Sequence, residues 1–330
     1  MALKALTYTA IALGLGALLT ACTANTRTER AEAAFPPVGE FVNVAGGRVH
    51  YVQAGNGPDV ILLHGAGGNL RDYTFSLMDQ LTDRYRVTAF DRPGLGYTDR
   101  APGIATGPFA TQGESPDDQV AMLREAATAL GIKDPVVVGH SFGGIVAMAW
   151  GTTGLRMDDP TNASALVTFG GVSMPWPGDL GAYYSVNGSA LGGGLVIPLI
   201  SAFTPQRTVD NVVAETFAPQ SPPPGYIDHL GGELALRERT FRANARQVNT
   251  LRPFVVEMTA LYPQLTIPIE VVHGTADNTV PIHVHAEELI KIAPTVNLTR
   301  LEGIGHQPHH SDEPEAIAAI DRAAARAGLR

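Results

Sequence analysis

Residues 139–143 read Gly-His-Ser-Phe-Gly, and the prediction of the fold begins at this short motif. Residues 135–138 before it are apolar, as in a buried strand, and residues 144–150 after it are apolar and long enough to begin a helix. A serine at such a strand-to-helix turn is held in a strained backbone, and the flanking glycines let strand and helix approach closely. The pattern predicts that Ser141 is a nucleophile and that the N–H of Phe142 faces an anion; the alternative is a tight structural turn.

Similar apolar segments recur on both sides of this turn, and most are continuous, as expected of parallel strands covered on both faces. They occupy residues 60–63, 87–90, 135–138, 166–169, 269–272 and 297–301, after two β-type runs at 41–44 and 48–52 that predict an opening hairpin. Helical patterns lie between them, over residues 71–85 and from Ser115 to Gly131. Strands that alternate with helices predict an α/β fold with a mostly parallel central sheet flanked by helices.

The interval between Phe169 and Ile267 breaks this alternation, because it contains no clear parallel strand and is rich in aromatic residues. We expect residues 174–263 to form a helical cap over the strand ends, inserted into a core made of residues 36–173 and 264–330. Most of the aromatic side chains are expected to pack inside the cap, and a few to line the space that it covers.

The N-terminal residues 1–21 have the composition of an export signal, with an apolar stretch that is short for a membrane span of about 20 residues. Residues 19–22, Leu-Thr-Ala-Cys, resemble the lipobox of bacterial lipoproteins, which implies that Cys22 is acylated and anchors the chain at the cell envelope. Secretion after a cut following Ala24, or an uncleaved apolar N-terminus with a free thiol, are the alternatives. The polar residues 22–35 predict a tether between anchor and domain.

The composition limits the partners that the chain can have. Its 330 residues carry a formal net charge of −9 and no block of lysine or arginine, so nucleic acid is not an expected partner. Cys22 is the single cysteine, so no disulfide can form within the chain. The oligomeric state stays open.

Side chains that can carry chemistry follow the ends of the predicted strands, and they are His64, Asp91, Ser141, Asp277 and His306. In open α/β sheets, ligands bind at the edge that the carboxyl ends of the strands form. We therefore expect an active site at that edge.

The order nucleophile, acid, base along the chain, with the motifs around each residue, resembles the α/β-hydrolase superfamily from about Phe41 to the C-terminus. The matching motifs are His-Gly-Ala-Gly-Gly at 64–68, Asp-Arg-Pro-Gly-Leu-Gly at 91–96, Gly-His-Ser-Phe-Gly-Gly at 139–144, His-Gly-Thr-Ala-Asp at 273–277 with Val-Pro at 280–281, and Gly-His at 305–306 with Glu-Pro at 313–314. The resemblance implies a catalytic triad of Ser141, Asp277 and His306. It also implies an oxyanion hole formed by the backbone N–H groups of Ala66 and Phe142, and no cofactor.

Elementary chemistry supports the same roles. A neutral hydroxyl is a poor nucleophile, so Ser141 needs a base, and imidazole is suited to take and return a proton near neutral pH. Asp277 would hold the other ring nitrogen of His306 and favour the imidazolium as it forms. Some family members carry the acid after the strand that precedes the cap, but residues 170–173 read Gly-Gly-Val-Ser there, so Asp277 has no rival.

Other residues near these motifs have competing interpretations. His309 and His310 could replace His306 as the base, but the glycine before His306 and the Glu-Pro pair downstream favour His306. Asp91 precedes a tight Pro-Gly loop and is expected to anchor that turn rather than to act in catalysis.

Further histidines and arginines receive structural interpretations. His64 and His140 lie inside backbone motifs and are expected to make structural hydrogen bonds. His283 and His285 do not share a helix face, so we expect no metal site there. Arginines at helical spacing in the cap predict a solvated face, with anion binding as the alternative; they are Arg237, Arg239, Arg242 and Arg246.

A serine nucleophile favours hydrolysis of a carboxylic ester, thioester or lactone through an acyl-enzyme intermediate, because the dehalogenases and epoxide hydrolases of this fold attack with aspartate. The largely apolar cap predicts a small-to-medium apolar substrate. A carbon–carbon bond hydrolase and a cofactor-free haloperoxidase or perhydrolase are alternatives on the same triad, although haloperoxidases usually carry Trp or Phe where Ala66 stands. The non-enzymatic alternative is a ligand-binding protein with a slow or vestigial triad.

Overall fold

A computed structural model describes residues 2–157 and 159–330 of the chain. Met1, at which the predicted signal peptide begins, and Asp158, in the predicted core, lie outside the described residues. The strands of the described part form one eight-stranded sheet. They are β1 Glu40–Val44, β2 Gly47–Ala54, β3 Asp59–Leu63, β4 Arg86–Phe90, β5 Val136–His140, β6 Ala165–Phe169, β7 Ile269–Gly274 and β8 Val296–Leu301.

The sheet has the strand order β1-β2-β4-β3-β5-β6-β7-β8. β1 and β2 form the predicted hairpin and β2 pairs antiparallel with β4, whereas the pairs from β4 through β8 are parallel. The predicted α/β fold with a mostly parallel sheet is therefore confirmed. Because β3, β5, β6, β7 and β8 are successive neighbours, the residues that follow their carboxyl ends meet at one edge of the sheet.

Helical segments surround the sheet and fill the interval before β7. They are α1 Ala2–Ala34, α2 Arg71–Thr74, α3 Pro116–Ala129, α4 Phe142–Gly154, α5 Gly181–Asn187, a π-helical turn Gly192–Val196, α6 Ile197–Phe203, α7 Gln206–Glu215, α8 Tyr226–Leu230, a 3-10 turn Gly232–Leu236, α9 Glu238–Asn249, α10 Leu251–Thr259, a 3-10 turn Tyr262–Gln264, α11 Ala286–Ile292, α12 Pro308–Ser311 and α13 Glu313–Arg326. α3 and α4 pack on one face of the sheet and α13 on the other, so β3, β5 and β6 are buried along their whole length. This double cover explains why the strand sequences are continuously apolar.

Helix α3 begins and ends where the sequence predicts. The Ser115 Oγ accepts a hydrogen bond from the backbone N–H of Asp118 at 3.0 Å, and the Asp118 carboxylate accepts one from the N–H of Ser115 at 2.9 Å. These reciprocal bonds form a capping box that satisfies two donors at the helix start. Gly131 follows the last turn with φ of +64°, a left-handed conformation that glycine adopts without strain.

The segment predicted as a helix over residues 71–85 differs from that prediction. Only α2 is helical, and residues 75–84 form a series of turns. The Met78 N–H donates to the carbonyl of Tyr73, five residues back, and the Leu81 N–H donates to that of Met78, three residues back. Tyr73 and Leu81 are fully buried against the sheet, so their packing outweighs the helical preference of the local sequence.

Residues 181–264, called the cap below, contain helical segments and, among the described residues, no strand. The predicted solvated face of cap arginines is wrong for two of its members, because the side chains of Arg237, directly before α9, and Arg246, within it, are buried. Arg246 Nη2 donates to the carbonyls of Gly107 and Pro108 at 2.8 and 3.0 Å. Carbonyl acceptors that converge on the guanidinium allow burial of a charge that would otherwise stay in water.

The N-terminal region also differs from its prediction. Residues 22–35 are not an extended tether, because α1 continues to Ala34 and its second half packs against α6. Ala24 is buried in this contact, and Arg27 Nη1 donates to the carbonyl of Thr204 at 2.5 Å. Leu6–Ala34 is long and apolar enough to cross a membrane, by length and composition alone, although a signal sequence passes the same test.

Candidate active site

Ser141 lies at the sharp turn between β5 and α4. Its φ of +53° and ψ of −117° are sparsely populated by residues other than glycine, which is the strained conformation expected of such a turn. Its N–H donates to the carbonyl of Phe169 in β6 at 3.0 Å. A Cβ on Gly139 would lie 2.1 Å from the carbonyl oxygen of Gly143, so the strand and helix approach too closely for any side chain there. The glycine spacing in the sequence therefore reflects this contact.

Two other predicted site residues lie within hydrogen-bond distance of this turn. His306 Nε2 is 2.9 Å from Ser141 Oγ, and His306 Nδ1 is 2.8 Å from Asp277 Oδ2. A carboxylate only accepts hydrogen bonds, so Nδ1 carries the proton and the lone pair of Nε2 faces the serine hydroxyl. The arrangement can remove the proton from Ser141.

The Asp277 carboxylate is buried and surrounded by donors. Its Oδ1 accepts hydrogen bonds from the backbone N–H groups of Thr279 and Val280, each at 2.8 Å. Burial alone would raise the pKa of Asp277, but the contacts with His273 and His306 and the backbone donors outweigh it and hold this pKa below its usual value. Asp277 is therefore an anion wherever the protein is folded near neutral pH.

Gly170, directly after β6, leaves room for this pair of side chains. Its φ is +50°, and a Cβ there would lie 3.2 Å from Asp277 Oδ2 and 3.4 Å from His306 Nδ1. Some family members carry the catalytic acid just after this strand. In this chain Gly170 lies there instead, and Asp277 and His306 pack against it.

The loop after β3 contains Ala66 and lies beside the serine. A Cβ on Gly65 would be 3.1 Å from the Cβ of Ser141, so the loop backbone runs directly past the turn. Arg92 is fully buried and donates to the carbonyls of His64 and Gly65 at 2.7 and 3.0 Å. Ala66 itself is exposed. The buried Arg92 guanidinium therefore binds the two residues that precede it, His64 and Gly65.

Phe142 is the first residue of α4, so its N–H belongs to the helix N-terminus. The Phe142 ring is buried, and the Arg92 guanidinium lies 4.4 Å from its centroid. Arg92 thereby contacts the two residues before Ala66 and the ring of Phe142. Its contribution was not foreseen from the Asp-Arg-Pro-Gly motif, which indicated a turn alone.

A cavity of about 580 Å³ lies between this edge of the sheet and the cap. Gly65, Ala66 and His140 line it from the core, and His140 directly precedes Ser141 in the chain. Its cap side is mostly apolar and includes Tyr183, Ile200, Val209, Val212, Leu230 and Phe241. The volume and apolar lining are typical of a site for a small organic ligand.

A second group of buried polar side chains surrounds Asp72 at the edge of the same cavity. His310 Nε2 and the Tyr226 hydroxyl each lie 2.7 Å from Asp72 Oδ1, and His309 Nε2 lies 3.3 Å from Oδ2. The competing bases His309 and His310 therefore contact Asp72, and His306 contacts Ser141. This group has no clear signature in the sequence; the one signal for it is the pair of histidines that follows His306.

The Asp72 group also contains three atoms with the chemistry of metal ligands. One atom each of Asp72, His140 and His309 lies within 4.8 Å of the others. The Asp72 oxygens already accept the hydrogen bonds described above, and His140 Nε2 donates to the carbonyl of His306 at 2.9 Å. A bound ion would have to replace part of this network.

The remaining predicted residues have structural contacts. Asp91 accepts hydrogen bonds from the N–H groups of Leu70 and Tyr97 at 2.8 and 2.7 Å, which confirms that it anchors turns. His285 Nδ1 accepts from the backbone N–H of Met174 at 3.2 Å. Cys22 is exposed on α1.

Comparisons with known proteins agree with this architecture. Residues 60–320 match the model of the alpha/beta hydrolase family. An uncharacterized protein of Mycobacterium tuberculosis is 27% identical over 299 residues, which are 87% of this chain and 81% of that protein.

Solved structures give the same result for the fold. A membrane phospholipase A, described as a bacterial virulence factor, is similar with a TM-score of 0.63 and 19% identity, over 97% of each chain. An esterase from Exiguobacterium antarcticum is similar with a TM-score of 0.66 and 16% identity, over 86% of this chain and 100% of that chain. At these identities the likeness establishes the fold, while the chemistry has to be argued from the site.

Proposed function

Because this chain belongs to the alpha/beta hydrolase family, we propose that it is a serine hydrolase that cleaves a carboxylic ester through an acyl-enzyme intermediate. The observation that carries the proposal is the continuous hydrogen-bonded series from Asp277 through His306 to the Ser141 hydroxyl, with distances of 2.8 and 2.9 Å. The strained backbone of Ser141 supports it further, since such strain persists where the surrounding structure holds a functional group in place.

In the first half of the proposed reaction, His306 Nε2 takes the proton of Ser141 as the Oγ attacks the ester carbonyl. The carbonyl oxygen becomes an oxyanion, which the N–H groups of Ala66 and Phe142 stabilise. Asp277 stabilises the imidazolium and keeps the ring oriented. The imidazolium then gives its proton to the leaving alkoxide, so an alcohol departs and the acyl group remains on Ser141.

In the second half, a water molecule replaces the alcohol. His306 removes one proton from the water as its oxygen attacks the acyl carbonyl, and the same oxyanion donors act again. The Ser141 oxygen leaves and takes the proton back from His306. The products are a carboxylic acid and the restored hydroxyl, with no cofactor consumed.

The lining of the cavity supports a small-to-medium apolar substrate. The apolar side chains contributed by the cap favour an alkyl or aryl group, because burial of apolar surface drives its binding. Asn244 also lines the cavity, and its Oδ1 accepts a hydrogen bond from the Gly67 N–H at 2.7 Å. This bond links the cap to the loop that carries Ala66.

The proposal includes attachment to the cell envelope through Cys22. Its support is the apolar N-terminal helix and the Leu-Thr-Ala-Cys sequence that ends at an exposed cysteine. Cells that express the chain should incorporate an acyl-chain analogue into it, and the Cys22→Ser variant should not. Equal labelling of both proteins would contradict acylation at this residue.

The esterase proposal is tested with the Ser141→Ala variant. We expect hydrolysis of p-nitrophenyl butyrate to fall by at least about a thousandfold, because the nucleophile is lost. Ser173→Ala is a matched control, since Ser173 is also a buried serine near the end of β6 and its hydroxyl has no hydrogen-bond partner among the described residues. Turnover close to that of the unmodified protein in Ser141→Ala would refute the proposal.

A fluorophosphonate probe separates an enzyme from a ligand-binding protein with an inactive triad. An activated serine reacts with the probe quickly, and the unmodified protein and Ser173→Ala should both be labelled. Ser141→Ala should remain unlabelled. Absence of labelling in the unmodified, folded protein would favour the ligand-binding alternative.

A further inference from the structure

The cap carries a row of exposed apolar side chains along one helical run. The π-helical turn Gly192–Val196 continues directly into α6, and apolar residues recur every four positions along this run. The exposed fractions are 68% for Leu191, 58% for Leu195, 50% for Leu199 and 55% for Phe203. A spacing of four keeps side chains on one face of a helix, so these residues form a continuous row, called here the apolar stripe.

The apolar stripe is not used by the fold of the cap. The same helical run is held through its other side, where Ile197 and Ala202 are buried, and Ile197 packs against Phe241 and Ala245 of α9. A contiguous apolar row that stays exposed after the core is complete indicates a surface that binds something apolar.

Helix α1 is fastened to this same part of the cap. Ala24 and Ala31 of α1 are buried, and Arg27 Nη1 donates to the carbonyls of Ala202 and Thr204 at 3.3 and 2.5 Å. These carbonyls lie at the C-terminal end of α6, where they have no partner within the helix. The bonds fix the axis of α1 beside α6.

The apolar half of α1 therefore begins next to the apolar stripe. Leu13, Leu15, Leu18 and Leu19 are between 62% and 71% exposed, and they precede the buried Ala24. If α1 stays uncleaved, its apolar half enters a bilayer there; if Cys22 is acylated, the acyl chains do so at almost the same place. Either form of attachment brings the bilayer surface to the cap at α6.

We propose that the apolar stripe docks on the surface of the lipid bilayer to which the N-terminal region attaches the chain. The occupant of the stripe is lipid, because α1, which packs against α6, exposes further apolar side chains and is long and apolar enough to cross a membrane. The helical runs Gly181–Asn187 and Gly192–Phe203, bent by 85°, are together as long and apolar as a membrane segment, in keeping with such a contact. They lie on the membrane and do not cross it.

Docking in this position has a consequence for the substrate, which rests on the proposed esterase function. Ile200 and Thr204 at α6 and Val209 and Val212 of α7 line the cavity, so the helix that contacts lipid on one side forms the cavity wall on its other side. In the docked position an ester carried in the bilayer lies against this wall of the cavity. The substrate class is therefore an apolar ester that partitions into membranes.

The contact is tested with tryptophan quenching in the full chain, reconstituted in phosphatidylcholine vesicles whose acyl chains carry bromine. Leu199→Trp places an indole in the apolar stripe, and Ile290→Trp is the matched control, since Ile290 is 41% exposed on α11 of the core. Trp150 and Trp176 give the same background in both variants. We expect quenching of Leu199→Trp to exceed that of Ile290→Trp at least about twofold.

Three results would overturn the docking proposal: equal quenching of both variants, quenching of neither, or protection of the stripe by a second copy of the chain. A second copy is detected in detergent, as a dimer that Leu195→Glu with Leu199→Glu converts to a monomer. Each of these results leaves the esterase proposal untouched, because hydrolysis of a soluble ester does not depend on the stripe.

Activity supplies the second test. We expect the double variant Leu195→Ser with Leu199→Ser to hydrolyse p-nitrophenyl palmitate carried in vesicles about tenfold more slowly, with turnover of soluble p-nitrophenyl butyrate unchanged. Equal rates of the double variant and the unmodified protein on the vesicle-borne ester would contradict the inference. Failure of the unmodified protein on both esters would instead contradict the esterase proposal, and the quenching experiment would still test the docking.

Discussion

Two buried aspartates with histidine partners lie near the same cavity, and they differ in what the histidines reach. Asp277 contacts His306, whose second ring nitrogen lies 2.9 Å from the hydroxyl of Ser141. Asp72 is contacted by His309, His310 and Tyr226, and its described contacts include no serine. An aspartate–histidine pair is thus not by itself a catalytic site; the serine on a strained turn distinguishes the two groups.

The two groups also differ in where their members come from. Asp277 and His306 follow neighbouring strands, β7 and β8, and belong to the core. Asp72 is in α2, Tyr226 is in α8 of the cap, and His310 is in α12. The Asp72 group therefore links the cap and the segment after His306 to the core. We expect Asp72 to contribute to the stability of the fold, and Asp277 to contribute to catalytic turnover.

The largest expected difference between the groups is in catalysis. Asp277→Asn should lower kcat for p-nitrophenyl butyrate by about a thousandfold or more, because the amide no longer selects the tautomer of His306 that can take a proton. Asp72→Asn, measured in the same assay, should change kcat by less than about tenfold. A loss of similar size in both variants would remove the distinction.

Stability should show the opposite ranking. Burial alone would raise the pKa of Asp72, but His309 and His310 outweigh it and hold this pKa well below its usual value. Replacing such a buried, hydrogen-bonded anion by Asn should lower the free energy of unfolding by about 3 kcal/mol, measured by urea denaturation at pH 7. The exposed Asp228 in α8 gives the control, since Asp228→Asn should change it by less than about 0.5 kcal/mol. Equal effects of the two substitutions on the free energy of unfolding would contradict a stabilising role for Asp72.

The pH dependence of stability provides a smaller effect in the same group. Burial, and next the charge of His310, lower the pKa of His309 to about 4. Below the unfolded pKa of about 6.5, the unfolded chain binds a proton that the folded chain does not, so the free energy of unfolding falls as pH drops from 6.5 toward 4. At pH 5 this histidine should account for a loss of about 2 kcal/mol relative to pH 7.

The contribution of this histidine is isolated by repeating the measurement on His309→Gln. Urea denaturation at pH 7 and pH 5 should give a smaller difference in the free energy of unfolding for the variant than for the unmodified protein. All other side chains are the same in the two proteins. Identical pH dependence would mean that His309 does not remain neutral on folding.

The smallest expected effect comes from one hydroxyl. Tyr226→Phe removes a hydrogen bond of 2.7 Å to Asp72 and should lower the free energy of unfolding by about 1–2 kcal/mol, measured by urea denaturation. Tyr262 is equally buried, but its hydroxyl has no hydrogen-bond partner in the part of the chain that the structure describes, so Tyr262→Phe should be neutral or slightly stabilising. A larger loss in Tyr262→Phe than in Tyr226→Phe would contradict this assignment.

Much of the core could be predicted because its signals are local. Each predicted strand lies within a few residues of an observed one, since a continuous apolar run bounded by turns has few other uses in an α/β protein. The start of α3 at Ser115 was predictable for the same reason, because the capping box involves residues three apart. The prediction of a helix over 71–85 failed where distant packing overrode local preference.

The parts that could not be predicted depend on contacts between distant segments. Arg237 and Arg246 have the spacing of a solvated helix face, but both are buried. Segments distant in the chain cover them, and the carbonyl of Gly107, for example, accepts a hydrogen bond from Arg246. Residues 22–35 are polar enough for a tether, but Arg27 finds its acceptors about 175 positions away, at Ala202 and Thr204. No local pattern carries that information.

The motif at 139–143, the order of Ser141, Asp277 and His306, and the run of parallel strands were readable without coordinates, because backbone strain and strand burial restrict residue type position by position. The packing of the folded chain decides which histidine contacts Ser141 and which two contact Asp72. It also decides which side of α6 stays exposed. Those outcomes depend on distances between groups far apart along the backbone, and such distances exist only once the elements have assembled.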